Sequence, residues 1–160
     1  MSGEKGNSVY NYVKQLGYDK FEQRVFLHYG NGTKTTYNYE EDRRRLKHMS
    51  ASTSAKRAFM DNEYTYDKVN NILSLKNSAP VPSSNLMGGS SEYSYEYDDL
   101  YRLTEAQGHY TGPNEQHRYT LQMSYNSVGS ILEKTQLHQR SSSGTSWQEQ
   151  KKTTYQQAYV

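Results

Sequence analysis

Histidines, carboxylates and one run of basic residues are the groups in this 160-residue chain that could do chemistry. The five histidines, His28, His48, His109, His117 and His138, stand far apart, and none has the H-x-x-x-H spacing that brings two imidazoles onto one metal. Cysteine is absent, so there is no thiol nucleophile, thiol metal site or disulfide framework, and the redox compartment cannot be read. Neither a G-x-S-x-G elbow nor a phosphate-binding glycine loop occurs. No catalytic residue, metal site or cofactor is therefore expected. Arg43, Arg44, Arg45 and Lys47 form the strongest basic cluster, read as a strand leaving a turn. It is either a patch for an anionic partner or a solvated strand face. With a net charge of only +2 and no second such cluster, nucleic acid is not an expected partner. Asp67 and Asp98 are placed to open turns, a sufficient role without acid–base catalysis.

The turns that carry those carboxylates repeat. In Tyr64-Thr65-Tyr66-Asp67 the two tyrosines lie two apart, so both rings project from one face of a strand. Asp67 takes the first place of a type I turn, and Asn70, which tolerates a left-handed backbone, takes the fourth. A one-residue bulge then pairs position i with i+6, setting Tyr66 opposite Ile72. The same register sets Tyr97 opposite Leu103 after Asp98, and Tyr125 opposite Ile131 across Asn126 and Gly129. Tyr39 and Leu46 fit with one extra loop residue, and Tyr18-Asp19 opens the weakest copy. Turns are predicted at residues 19 to 22, 40 to 44, 67 to 70, 98 to 101 and 126 to 129. Anchor tyrosines at 18, 39, 66, 97 and 125 give steps of 21, 27, 31 and 28 residues, the range of arrays that stack one supersecondary unit per repeat.

This grammar resembles the YD repeat of Rhs proteins, the bacterial toxin-shell family that includes the B and C subunits of insecticidal toxin complexes and, in animals, the teneurins. The resemblance covers roughly residues 10 to 159. The family's turn glycine survives as Gly129 and is replaced by Glu22, Asn70 and Tyr101 in other copies, which predicts strained or reshaped turns there. The resemblance implies an all-β fold of consecutive antiparallel hairpins in a curved strip, a segment of a shell that encloses a toxin polypeptide. It implies neighbouring YD repeats of a larger parent as partners, and secretion or cell-surface display with that parent. The self-cleaving protease of such proteins lies in a later segment with Asp-Pro motifs. No Asp-Pro occurs here, so that activity is not carried over to any residue.

Composition agrees with a thin sheet. Leu, Ile, Val and Phe make up 23 of the 160 residues, below the roughly 20% at which disorder is suspected, but 17 tyrosines supply large rings with a polar tip. Residues 1 to 9 read as a polar tail with no signal-type apolar run, and residues 10 to 160 as an array of about five hairpins continuing past Val160 in a parent. No segment approaches the ~20 apolar residues of a membrane span. Val9 to Leu16 reads as one strand, Asn31-Gly32 as a hairpin turn, and residues 50 to 58 as a loop or frayed strand with a short helical turn at 54 to 60. Residues 78 to 91 and 141 to 146 read as flexible connections, and 147 to 160 as a final strand pair. Two functions remain in view: a non-catalytic wall segment, or a tyrosine-rich binding module for a glycan, an anionic polymer or a protein. Exposed sheet edges also predict self-association.

Overall fold

The computed structural model describes residues 2–6, 8–83, 89–142 and 144–157. Strands β1 (Ser2–Lys5) and β2 (Ser8–Asn11) pair as a separate hairpin. The polar start is thus not a tail. Eleven further strands form one open antiparallel sheet: β3 (Val13–Tyr18), β4 (Arg24–Tyr29), β5 (Lys34–Tyr39), β6 (Leu46–Ser52), β7 (Ala58–Tyr66), β8 (Ile72–Asn77), β9 (Ser90–Tyr97), β10 (Leu103–Thr111), β11 (Gln116–Tyr125), β12 (Ile131–Ser141) and β13 (Gln148–Gln156). Each strand pairs with the next in sequence, from β3 at one margin to β13 at the other. An array of local hairpins yields this order because every pairing except that of β8 with β9 is closed by a short connection.

Four expectations need correction. The stretch from Val9 to Leu16 is not one strand; the chain changes sheet at Tyr12, whose carbonyl accepts the Gly30 amide at 2.8 Å. Gly30 allows this because any side chain there would collide with the Asn11 carbonyl. The region from Ser50 onward is not a frayed loop, since β6 runs to Ser52, with Thr36 and Ser50 hydroxyls 2.7 Å apart and Ala51 buried. Small polar pairs across strands substitute for apolar content. No helix occurs among the described residues, and residues 53 to 57 form a further tight turn, with Lys56 at φ 61°. From Gln148 to Gln156 runs a single strand where a pair was read, residues 158 to 160 lying outside the described set. The long connection between β8 and β9 is present, although residues 84 to 88 of it also fall outside that set.

Register divides the sheet into two unlike faces. One carries Tyr37, Tyr39, Tyr64, Tyr66, Tyr93, Tyr95, Tyr97, Tyr119 and Tyr125 with their aliphatic partners; the other carries cross-strand polar pairs such as Thr65 with Ser74 and Glu63 with Lys76. The few buried apolar residues in its strands, Leu27, Ala51, Ala106 and Leu121, belong to the tyrosine face. Tyr95, Ala106 and Leu121 stand in one cross-strand row, where small residues leave room for rings. At Gly108, opposite Tyr93, a Cβ would lie 2.7 Å from the ring. Aromatic area on one face thus replaces the missing aliphatic core.

Candidate functional site: the tyrosine and aspartate turn edge

Because strands alternate in direction, all five Tyr-Asp type turns project from the same long edge of the strip. Tyr18 stands opposite Arg24, Tyr39 opposite Leu46, Tyr66 opposite Ile72, Tyr97 opposite Leu103 and Tyr125 opposite Ile131, each beside a register shift. One carboxylate or amide oxygen closes each three-residue turn. Asp67 Oδ1 accepts the Val69 and Asn71 amides at 2.9 and 2.8 Å, and Asp98 Oδ1 accepts those of Leu100 and Arg102, both at 2.9 Å. Asp19 and Asn126 repeat the arrangement. The fourth turn residue is left-handed throughout: Glu22 at φ 62°, Asn70 at 78°, Tyr101 at 62° and Gly129 at 90°, with Arg44 at 59° in the longer turn. The non-glycine residues there carry strain that the Asx hydrogen bonds hold in place.

The tyrosine hydroxyls do something that residue spacing does not reveal. Tyr39 donates to the Arg24 carbonyl at 2.9 Å, Tyr66 to Leu46 at 2.7 Å, Tyr97 to Ile72 at 2.9 Å and Tyr125 to Leu103 at 2.7 Å. Every acceptor is the first residue of the return strand of the preceding hairpin. Pairing between hairpins stops short of that residue, at Phe26 with Thr36, His48 with Glu63, Ser74 with Ser94 and Glu105 with Gln122. Each hydroxyl thus takes up a carbonyl beyond the end of the ladder and locks its repeat to the one before. Burial pushes the pKa of the Tyr39, Tyr66 and Tyr97 phenols up, keeping them protonated as donors. The one available signal was the uniform choice of tyrosine over phenylalanine at the anchors.

A second set of bridges joins neighbouring turns. Arg45 forms a two-point pair with Glu40 at 2.6 and 3.0 Å, donates to the Asp67 carbonyl at 2.8 Å and lies over the Tyr66 ring at 4.6 Å. Arg102 repeats this with Asp98 at 2.7 Å, the Asn126 carbonyl at 3.1 Å and the Tyr125 ring at 4.6 Å. Gln23 donates to the Arg44 carbonyl at 2.9 Å. The Arg45 hydrogen bond holds the Glu40 carboxyl below its ordinary range, and the Arg102 backbone amide does most to lower Asp98.

Arg43, Arg44 and Arg45 belong to the turn, with Lys47 alone inside β6. Their guanidinium groups face partners within the chain: Arg43 the Lys68 carbonyl, Arg44 the Phe21 ring, and Arg45 the groups named above. The shallow hollow beside them, about 650 Å³, is lined by Glu40, Glu41 and Asp42 as well as by Arg43, Arg45 and Lys47, so it carries both signs of charge.

Folding also gathers histidines that are distant in sequence. The His117 and His138 rings stack with centroids 5.1 Å apart and a nitrogen pair at 2.9 Å; Glu115 accepts from His117 at 2.9 Å and pairs with Arg140 at 2.5 Å. His48 meets Asp61 at 2.7 Å. Among the described residues no group of three or more His, Cys, Asp or Glu is placed to hold a metal ion, and no helix is long and apolar enough to cross a membrane.

No protein-family model matches the chain. It is 36% identical over 110 residues to toxin subunit YenC1 and 31% identical over 119 residues to toxin subunit YenC2, both of Yersinia entomophaga. Each match takes in 65% of this chain and 11% of the relative. In fold it is similar to the crystal structure of TcdB2-TccC3-Cdc42, with a TM-score of 0.74 and 25% identity over 96% of this chain and 8% of that one. It is similar also to the Photorhabdus luminescens Tc holotoxin pore, with a TM-score of 0.71 and 25% identity over 94% of this chain and 8% of that one. In its repeated Tyr-Asp hairpins, in the open all-β strip they build and in these similarities, the chain resembles a stretch of the Rhs/YD-repeat subunits of toxin complexes and spans about a tenth of the length of the relatives it matches.

Proposed function

We propose that this chain is a non-catalytic wall segment of an Rhs/YD-repeat shell that encloses a toxin polypeptide, with neighbouring YD repeats and that polypeptide as its partners, secreted or displayed at a cell surface. The observation that carries this reading is the hydroxyl lock. Four tyrosines in succession each join their own hairpin to the one before through the same carbonyl position. Side chains that a binding module would present to a ligand are here committed to repeat-to-repeat cohesion. The intrachain partners of Arg43, Arg44 and Arg45 support the same reading over an anionic-polymer site.

The test is a chimera in which the matching stretch of toxin subunit YenC1 is replaced by the matching stretch of this chain. A wall segment gives a chimera with the hydrodynamic size and trypsin resistance of unmodified YenC1. A chimera that loses both, while the isolated chain is a stable monomer that binds heparin or an oligosaccharide, overturns the wall reading in favour of a binding module.

A further inference from the structure

We infer that the turn edge is also an interaction surface, and that its partner is the turn edge of a second YD-type strip. In the four three-residue turns the position two after the turn-opening residue is Phe21, Val69, Leu100 and Val128. These residues are 49%, 45%, 65% and 82% exposed. Nothing in the turn itself calls for an apolar side chain there, since type I turns accept most residues and the turn at residues 53 to 57 has Ala55 at that place. The opposite long edge is less regular: its short connections Gly30-Asn31-Gly32, Ser54-Ala55-Lys56 and Gly112-Pro113-Asn114-Glu115 carry no large apolar tip, while the longer connection between β8 and β9 exposes Val81 at 41%. Among the described residues, one edge repeats an apolar tip at the same turn position and the other does not.

Where the chain offers cover, a tip takes it. The Arg44 guanidinium lies 3.3 Å and the Lys20 ammonium 5.0 Å from the centroid of Phe21. Val69, Leu100 and Val128 remain turned to solvent on three consecutive hairpins. Successive tips are two strand spacings apart, about 10 Å, so a partner must present apolar groups at that pitch. A second strip of the same construction does so, whereas an ordinary protein surface has no reason to repeat it. Charge agrees. The residues just before the apolar tips are Lys68 and Asp99, both exposed. A two-fold axis between these turns sets Val69 against Leu100 of the other strip and Lys68 against Asp99, a self-complementary contact of the kind two-fold pairing requires.

This inference does not depend on the wall reading: a chimera can assemble without its tips meeting, and two strips can meet by their tips without enclosing anything. Because the chain has no cysteine, single introduced thiols report proximity directly. An equimolar mixture of Val69→Cys and Leu100→Cys chains, treated with a short bismaleimide, is expected to give several-fold more mixed dimer than Asn31→Cys on the opposite edge or Thr154→Cys on β13. Asp99→Lys should abolish the excess, and adding Lys68→Asp in the same chain should restore it. Circular dichroism confirms that these exposed substitutions leave the sheet intact. Equal cross-linking at Val69, Leu100 and Asn31, or an excess indifferent to the charge reversal, overturns the proposal.

Discussion

Replacing Tyr97 by Phe removes one oxygen and leaves the ring opposite Leu103, so it isolates the hydroxyl lock. The lost hydrogen bond is 2.9 Å long and its acceptor, the Ile72 carbonyl, lies beyond the last β8 to β9 ladder pair, where water only partly reaches it. A neutral hydrogen bond contributes a net ~0.5 to 1.5 kcal/mol, and a buried acceptor left unmade costs ~1 to 3 kcal/mol; half burial puts Tyr97→Phe at about 1 to 2 kcal/mol. For a chain of this size that lowers the melting temperature by roughly 2 to 4 °C per kcal/mol. Tyr101→Phe is the control, because Tyr101 is 60% exposed at a turn tip. Combining Tyr66→Phe with Tyr97→Phe should give the sum of the two losses, since the hydroxyls sit about two strand spacings, roughly 10 Å, apart. Urea titrations of the parent and the four variants, Tyr66→Phe, Tyr97→Phe, their combination and Tyr101→Phe, measure this. If Tyr97→Phe falls within about 0.5 kcal/mol of the parent, the range of ordinary surface changes, or matches Tyr101→Phe, the hydroxyls do not lock repeats together.

Asn70→Gly relieves a left-handed residue at φ 78° and should be neutral or stabilising by up to ~1 kcal/mol, whereas Gly129→Val forces a β-branched residue to φ 90° and should cost at least as much; thermal melts decide, and equal negligible shifts refute the bulged turn. Asp98 and Asp67 titrate below the ordinary carboxylate range, Asp98 chiefly through the Arg102 amide, Asp67 because burial, which raises it, is outweighed by the hydrogen bonds from Asn71, Val69 and Asn70 together. Groups depressed in this way stabilise the fold fully above their unfolded values and lose that contribution as pH falls through the folded ones, that is below about pH 4. Asp98→Asn keeps the turn oxygen, as Asn126 does naturally, but loses the Arg102 ion pair; its unfolding midpoint should therefore fall less steeply with acid than the parent's, and parallel pH profiles refute this. Gly108→Ala should destabilise the sheet by displacing the Tyr93 ring, with Tyr93→Leu in the same chain recovering part of the loss in thermal melts.

Much of the fold was legible in the sequence because hairpin pairing is local. The i, i+6 register of Tyr66 with Ile72 needs only one turn and two short strands, and five copies in succession leave a meander as the economical topology. The turn chemistry was legible for the same reason: Asp67 and Asp98 lie within four residues of the amides they accept. What spacing could not supply lies between hairpins. The hydroxyl lock of Tyr97 reaches 25 residues back to Ile72, and Arg45 reaches 22 residues forward to the Asp67 carbonyl, distances set by how far neighbouring hairpins splay. The basic run looked like a surface patch in one dimension, and only folding aimed Arg44 at Phe21 and Arg43 at Lys68. His117 and His138, 21 residues apart, meet because β11 and β12 pair in a register that puts both on the tyrosine face. Short-range sterics and turn propensities therefore determined each hairpin from the sequence alone. The tertiary structure decided how hairpins hold one another, because those contacts depend on strand spacing and register summed over a whole repeat.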